Sequence, residues 1–129
     1  MHEDLPAAGD RATYTRTFTH DDVRQFVDVS NDEGEHHLEP DDEGRLLVHG
    51  LLTATLPTKL GGDLDVLART MEFEFTRPVY TGETVTCEAV FETVEPRENG
   101  DAEVRAAFEC TKAGETVVMR GTFEGVIRG

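Results

Sequence analysis

Tryptophan is absent, lysine occurs only at Lys59 and Lys112, and no apolar run approaches the length of a membrane span. The missing run excludes a transmembrane helix, which needs about 20 consecutive apolar residues. The opening MHEDLPAAGDRA has neither a basic patch nor an apolar block, so no secretory signal is expected. Cysteine is scarce as well, with Cys87 and Cys110 the only two. Both fall in segments that read as strands, and without a secretory context free buried thiols are expected in place of a disulfide. Cations are outnumbered, 12 Lys+Arg against 27 Asp+Glu, for a net charge of -15. Such a surface makes nucleic acid and anionic membranes poor partners. The acids are scattered along the chain and form no tail. That pattern reads as a cytoplasmic protein of a high-salt organism, in which screening relieves self-repulsion. With 129 residues the chain is read as one domain, 1–129, whose first eleven residues are expected to be flexible.

What is present divides into helices early and strands late, an α+β arrangement. Residues 13–18 alternate and carry β-formers, which predicts a first strand. Thr19 followed by Asp21 and Asp22 is an N-terminal capping signal, and Val23, Phe26 and Val27 at helical spacing predict a helix over 21–29. Residues 31–44 are polar, contain Gly34, Pro40 and Gly44, and are expected to be loop. Residues 46–60 are the most apolar stretch and predict a largely buried helix that opens near His49-Gly50. Pro57 implies a kink in that helix or an early end, and Gly61-Gly62 should stop it. From Ala68 onward apolar residues alternate with polar ones in four sets, around Met71–Phe75, Val85–Phe91, Val104–Cys110 and Val117–Val126. Turn signals at Asn99-Gly100 and over 112–115 make the last three an antiparallel meander.

The chemistry-bearing residues cluster between the first helix and the apolar stretch, in SNDEGEHHLEPDDEGRLLVHGLL. A carboxylate at Asp32 and an imidazole five residues later at His37 can jointly grip one water. An apolar helix opening at Gly50 presents free backbone N–H groups to a carbonyl oxygen. The alternatives are ordinary ones: Asp32 capping nearby loop amides, His37 as a solvated surface residue, and Gly50 only admitting a close helix–sheet approach. His36 is the neighbour that must be told from His37. His36, His37 and His49 beside so many acids also suggest a metal site, but they lack the i, i+4 spacing of a helical zinc motif, and no metal is expected.

These residues, taken with the strand text Phe75-Thr76-Arg77-Pro78-Val79-Tyr80-Thr81-Gly82-Glu83-Thr84-Val85, resemble the MaoC-type (R)-specific enoyl-CoA hydratases. The similarity runs over about residues 13–127. Asp32, His37 and His49-Gly50 fall at the family's signature positions, with Gly34-Glu35 standing where the family carries Asn-Pro. The resemblance implies a hot-dog fold, an antiparallel sheet wrapped around a central apolar helix. It implies hydration of a trans-2-enoyl-CoA, or the reverse dehydration, with no cofactor beyond the acyl-CoA substrate. It also implies a homodimer or a higher oligomer of dimers. In its terms Asp32 and His37 are catalytic, the Gly50 N–H is an oxyanion donor, His49 packs or positions, and Thr58 lines the substrate pocket unless its hydroxyl bonds back to its own helix. Arg77 and Lys59 are the candidate contacts for the CoA phosphates. A hot-dog thioesterase and a non-catalytic acyl-CoA-binding subunit are the competing classes.

Overall fold

The computed structural model describes residues 5–129. Strand β1 (Arg11–Thr17) leads into helix α1 (His20–Ser30), followed by three short helices: α2 (Glu35–Leu38), α3 (Gly50–Thr53) and α4 (Thr55–Asp63). Strands β2 (Val66–Phe75), β3 (Thr84–Pro96), β4 (Ala102–Lys112) and β5 (Thr116–Ile127) complete the chain. All five strands form one antiparallel sheet in the order β1-β3-β4-β5-β2.

The alternation read from the sequence is the reason this sheet has an inside. In β4, Ala102, Val104, Ala106, Phe108 and Cys110 are buried, while Glu103, Arg105 and Glu109 point outward. In β3 the buried set is Val85, Cys87, Ala89 and Phe91. These side chains meet Leu52, Leu56 and Leu60 from α3 and α4, and each fully buried leucine contributes about 1.5–3 kcal/mol relative to exposure. Cys87 and Cys110 lie directly opposite each other across β3 and β4 as free, buried thiols. Their mutual hydrogen bond and burial push the Cys110 thiol upward, away from thiolate chemistry.

Helix α1 begins as its text requires. The Thr19 hydroxyl accepts from the Asp22 N–H (3.1 Å) and the Asp22 carboxylate accepts from the Thr19 N–H (2.9 Å), a complete capping box. Asn31 closes the helix in the left-handed region, at φ 59°, with its N–H on the Val27 carbonyl. The hairpin after β4 turns through the three residues 113–115 between paired Lys112 and Thr116, with Ala113 and Gly114 both at positive φ.

Two expectations need correction. The helix expected to open near His49-Gly50 does open at Gly50, but it is not continuous to Leu60. Leu46–Val48 is extended, held by Leu46 N–H on the Thr81 hydroxyl (3.0 Å) and Val48 N–H on the Val79 carbonyl (2.8 Å). The helical part then breaks at Ala54. Pro57 has no N–H to give the Thr53 carbonyl, so the chain restarts at Thr55 and places Pro57 in a first turn, where the missing donor costs nothing. Gly61 and Gly62 do not stop α4, which continues to Asp63, and the left-handed residue after it is Asp65. The second correction is inside the loop 31–44, where Glu35–Leu38 makes one helical turn bounded by Gly34 and Pro40. Of the segment expected to be flexible, residues 1–4 lie outside the described residues. Further along it, the Gly9 N–H bonds to the Phe91 carbonyl (2.7 Å) and Arg11 opens β1. Among the described residues no helix is long and apolar enough to cross a membrane.

Candidate active site

The segment leaving α1 is shaped by short-range side-chain bonds. The Ser30 hydroxyl accepts from the Asp32 N–H (3.0 Å), and Asp32 Oδ1 accepts from the Gly34 N–H (3.2 Å). Asp32 therefore does cap a loop amide, with one oxygen. Its other oxygen, Oδ2, lies 3.7 Å from His37 Nε2. The single turn of α2 separates the adjacent histidines: His37 points inward and is 5% exposed, while His36 is exposed, its ring in an edge arrangement with that of His37.

His37 Nδ1 is 2.6 Å from the Leu47 carbonyl oxygen. A carbonyl can only accept, so Nδ1 carries the hydrogen, and in the neutral ring the lone pair is on Nε2, facing Asp32. Burial pulls the imidazole below the ordinary histidine range; nearby His49 and His36 act in the same direction, and the Leu47 bond and Asp32 act against it. The ring is thus held in the state that accepts a proton at neutral pH.

His49 packs behind this pair and is 3% exposed. Its ring stacks on His37 with centroids 3.5 Å apart and planes 13° apart, and Phe26 from α1 covers it at 4.8 Å. Nε2 donates to the Asp32 main-chain carbonyl at 3.1 Å, whereas Nδ1 is buried without a partner. Gly50 follows as the first residue of α3, so its N–H has no acceptor within the helix. A Cβ at Gly50 would sit 2.8 Å from a ring carbon of Phe75, so close approach and a free N–H coincide there.

Asp32, His49, Gly50, Thr53, Phe75 and Arg77 all line one cleft of about 730 Å³. His37 does not itself line it; its Nε2 faces Oδ2 of Asp32, which does. Arg77 brings the cleft its cation. Nine of the twelve cationic side chains are ion-paired, but among the described residues Arg24, Arg77 and Arg128 are not.

Two expected contacts lie elsewhere. The Thr58 hydroxyl donates back to the Ala54 carbonyl (2.9 Å), and Thr58 borders a separate cavity of about 150 Å³ between α4, β2 and β5. The break at Ala54 removes the continuous helical face that would have carried Thr58 beneath Gly50. Thr53, buried and one turn after Gly50, takes the place in the cleft; its i, i+3 spacing was the signal that could have found it. Lys59 is paired with Asp63 (2.5 Å), lies 4.9 Å over the Tyr14 ring and does not line the cleft.

Asp32, His37 and His49 each offer a ligand atom within 4.8 Å of the others, so among the described residues this trio, without His36, is a metal-like cluster. The fit to a tetrahedral ion is poor. Two stacked, nearly parallel imidazoles send their lone pairs side by side and not to one point, and His37 Nδ1 and His49 Nε2 are already committed to carbonyls.

No protein-family model matches the chain, and no curated protein sequence matches it. Solved structures do. The R-hydratase PhaJ1 of Pseudomonas aeruginosa, in unliganded form, superposes with a TM-score of 0.81 at 22% identity, over 95% of this chain and 82% of that one. The (R)-hydratase from A. caviae involved in PHA biosynthesis gives 0.81 at 24% identity, over 99% of this chain and 100% of that one. A MaoC-like dehydratase from Rhodospirillum rubrum gives 0.75 at 19% identity, over 95% and 93%. The chain has the hot-dog fold. In the hot-dog sheet and helix seen here, the cleft opens where α3 meets the Phe75 end of β2, and the Asp32 loop closes one side of it.

Proposed function

We propose that the cleft adds water across the double bond of a trans-2-enoyl-CoA to give a 3-hydroxyacyl-CoA, or runs the reverse dehydration. The observation that carries this reading is the 3.7 Å separation of a carboxylate oxygen from the unprotonated nitrogen of a buried imidazole, beside a free helix-opening N–H. Both groups accept hydrogen bonds. One water at about 2.8 Å from each can donate to both, and its oxygen lone pair is left for the substrate. As the water oxygen bonds to C3, one of its protons passes to the Asp32–His37 pair and negative charge moves to the thioester oxygen. The Gly50 N–H bonds that oxygen; losing one such donor costs on the order of 10²–10³ in rate. The pair then returns a proton to C2, so the enzyme ends as it began.

Arg77, which lines the cleft and has no ion pair among the described residues, is the group we assign to the CoA phosphates. The solved hydratases and dehydratases of the same fold support the reaction class. The assay is crotonyl-CoA followed by loss of enoyl absorbance in molar KCl. Release of free thiol from a saturated acyl-CoA would identify a thioesterase instead, and binding without turnover a carrier subunit.

The same reading includes a homodimer and a cytoplasmic, salt-adapted protein. Strand β2 is an open edge, and exposed Phe75 at its end lines the cleft with exposed Leu51, an apolar arrangement that a second copy would cover. A monodisperse monomer with full activity would overturn the dimer. The charge of -15 repels itself over a Debye length of about 30 Å at 0.01 M salt and about 3 Å at 1 M. The melting temperature is therefore expected to rise from dilute buffer to molar KCl, and a flat response would overturn salt adaptation.

A further inference from the structure

His49 carries a cost that a packing residue would not. Its Nδ1 is buried with no partner, and an unpaired buried nitrogen destabilises a fold. An apolar ring in the same place would fill the space between Phe26 and His37 without that cost. What the imidazole provides is on its other side, where Nε2–H holds the Asp32 carbonyl at 3.1 Å. The same ring lies flat on His37, 3.5 Å away. One side chain therefore holds the main chain of Asp32 and the ring of His37 together.

Asp32 needs that hold. It follows the left-handed Asn31, its side chain is 56% exposed, and its other bonds, N–H to the Ser30 hydroxyl and Oδ1 from the Gly34 N–H, reach only two residues along the chain and tie it to nothing in the ring stack. His37 is fixed independently, by burial and by the Leu47 carbonyl. Of the two groups facing each other at 3.7 Å, the carboxylate is the one whose backbone would otherwise drift.

We infer that His49 is a positioning residue whose Nε2–H anchors the Asp32 backbone to the ring stack, and so sets the distance between carboxylate and imidazole. The inference rests on the hydratase reading for its chemical consequence, because that distance matters when both groups hold the same water.

Two variants of the full chain separate positioning from packing. His49→Phe keeps a ring between Phe26 and His37 but cannot donate. His49→Gln gives up the stack but keeps an amide N–H near the place of Nε2. With crotonyl-CoA, His49→Phe should lower kcat by about 30- to 100-fold, since a misplacement of about 1 Å can cost about 10². KM should stay within about twofold, and the melting temperature should stay within a few degrees of the parent, because removing the unpaired nitrogen offsets losing the bond to the Asp32 carbonyl. His49→Gln should recover at least half of that loss on a logarithmic scale. A His49→Phe enzyme as fast as the parent, or faster than His49→Gln, would overturn the inference and leave His49 a packing residue. The ¹³C chemical shift of the Asp32 carbonyl reads the anchor without turnover: it should move upfield in His49→Phe and stay near the parent value in His49→Gln. If the parent does not hydrate crotonyl-CoA, the hydratase reading fails by itself. The carbonyl shift then decides this inference, and a shift unmoved in His49→Phe overturns it.

Discussion

The sheet and the 31–50 segment are held by different forces. In the sheet, β3, β4 and β5 bury side chains in one core with α3 and α4, and cohesion is spread over more than a dozen apolar residues. In the segment, the geometry hangs on a few bonds to main-chain carbonyls: His37 on Leu47, His49 on Asp32, and Leu47 N–H on His36. Apolar burial is non-directional and tolerant, whereas a hydrogen bond to one carbonyl fixes a distance. The comparison teaches that stability and the site can be changed almost independently.

The sharpest break in that comparison is at the site itself. Asp32→Asn and His37→Ala should each remove about 10³-fold or more of the hydration rate while shifting the melting temperature by only a few degrees. Because both groups act on one water, the double variant should be barely slower than either single one, in stopped-flow or steady-state assays. His36→Ala should stay within a few-fold of the parent; equal damage at His36 would show that the register of the pair is wrong.

The opposite break is in the sheet. Phe91 is 1% exposed and meets Phe123 edge-on at 6.1 Å. Phe91→Ala should cost about 3–5 kcal/mol in denaturant unfolding. The fraction that remains folded should keep its turnover.

Acid couples the two regions weakly. The fold holds His37 below its ordinary range, chiefly by burial, so the unfolded chain takes up a proton that the native state refuses. Stability from this group is full above the unfolded value of about 6.5 and declines as pH falls below it toward the folded value. In equilibrium melts, His37→Gln should flatten that decline. A decline between pH 7 and 5 unchanged by the substitution would assign it to other groups.

The smallest effect separates the two proposed phosphate contacts. Arg77→Gln should raise KM for an acyl-CoA by about three- to tenfold and leave kcat alone. Lys59→Gln should change neither, since Lys59 is paired with Asp63 outside the cleft.

Much of this arrangement was legible in the text. The capping box at Thr19 and Asp22, the alternation of β3 to β5 and the turn at Ala113-Gly114 are local signals, and local structure follows them. The pairing of Asp32 with His37 followed from the family resemblance, since the spacing alone suits an ordinary capping loop as well. The exchange of Thr58 for Thr53 was legible only in half: the i, i+3 spacing from Gly50 points to Thr53, but the displacement of Thr58 depends on where a missing proline N–H breaks the helix. The His49 anchor was not legible: it joins residues seventeen apart through a main-chain carbonyl, and periodicity carries no information about that. Lys59 could have been read correctly, since Asp63 four residues on is the ordinary partner for a helical lysine.

The two thiols facing each other between β3 and β4 give the molecule a clock. Both side chains are fully shielded, and β4 is the middle strand of the sheet. An alkylating reagent can reach them only when those strands part, so the rate of carboxymethylation reads how often the centre of the sheet opens. Catalysis does not enter that rate, and neither does the 31–50 segment. Measured across salt concentrations, it would show whether screening tightens the sheet itself or only the surface around it.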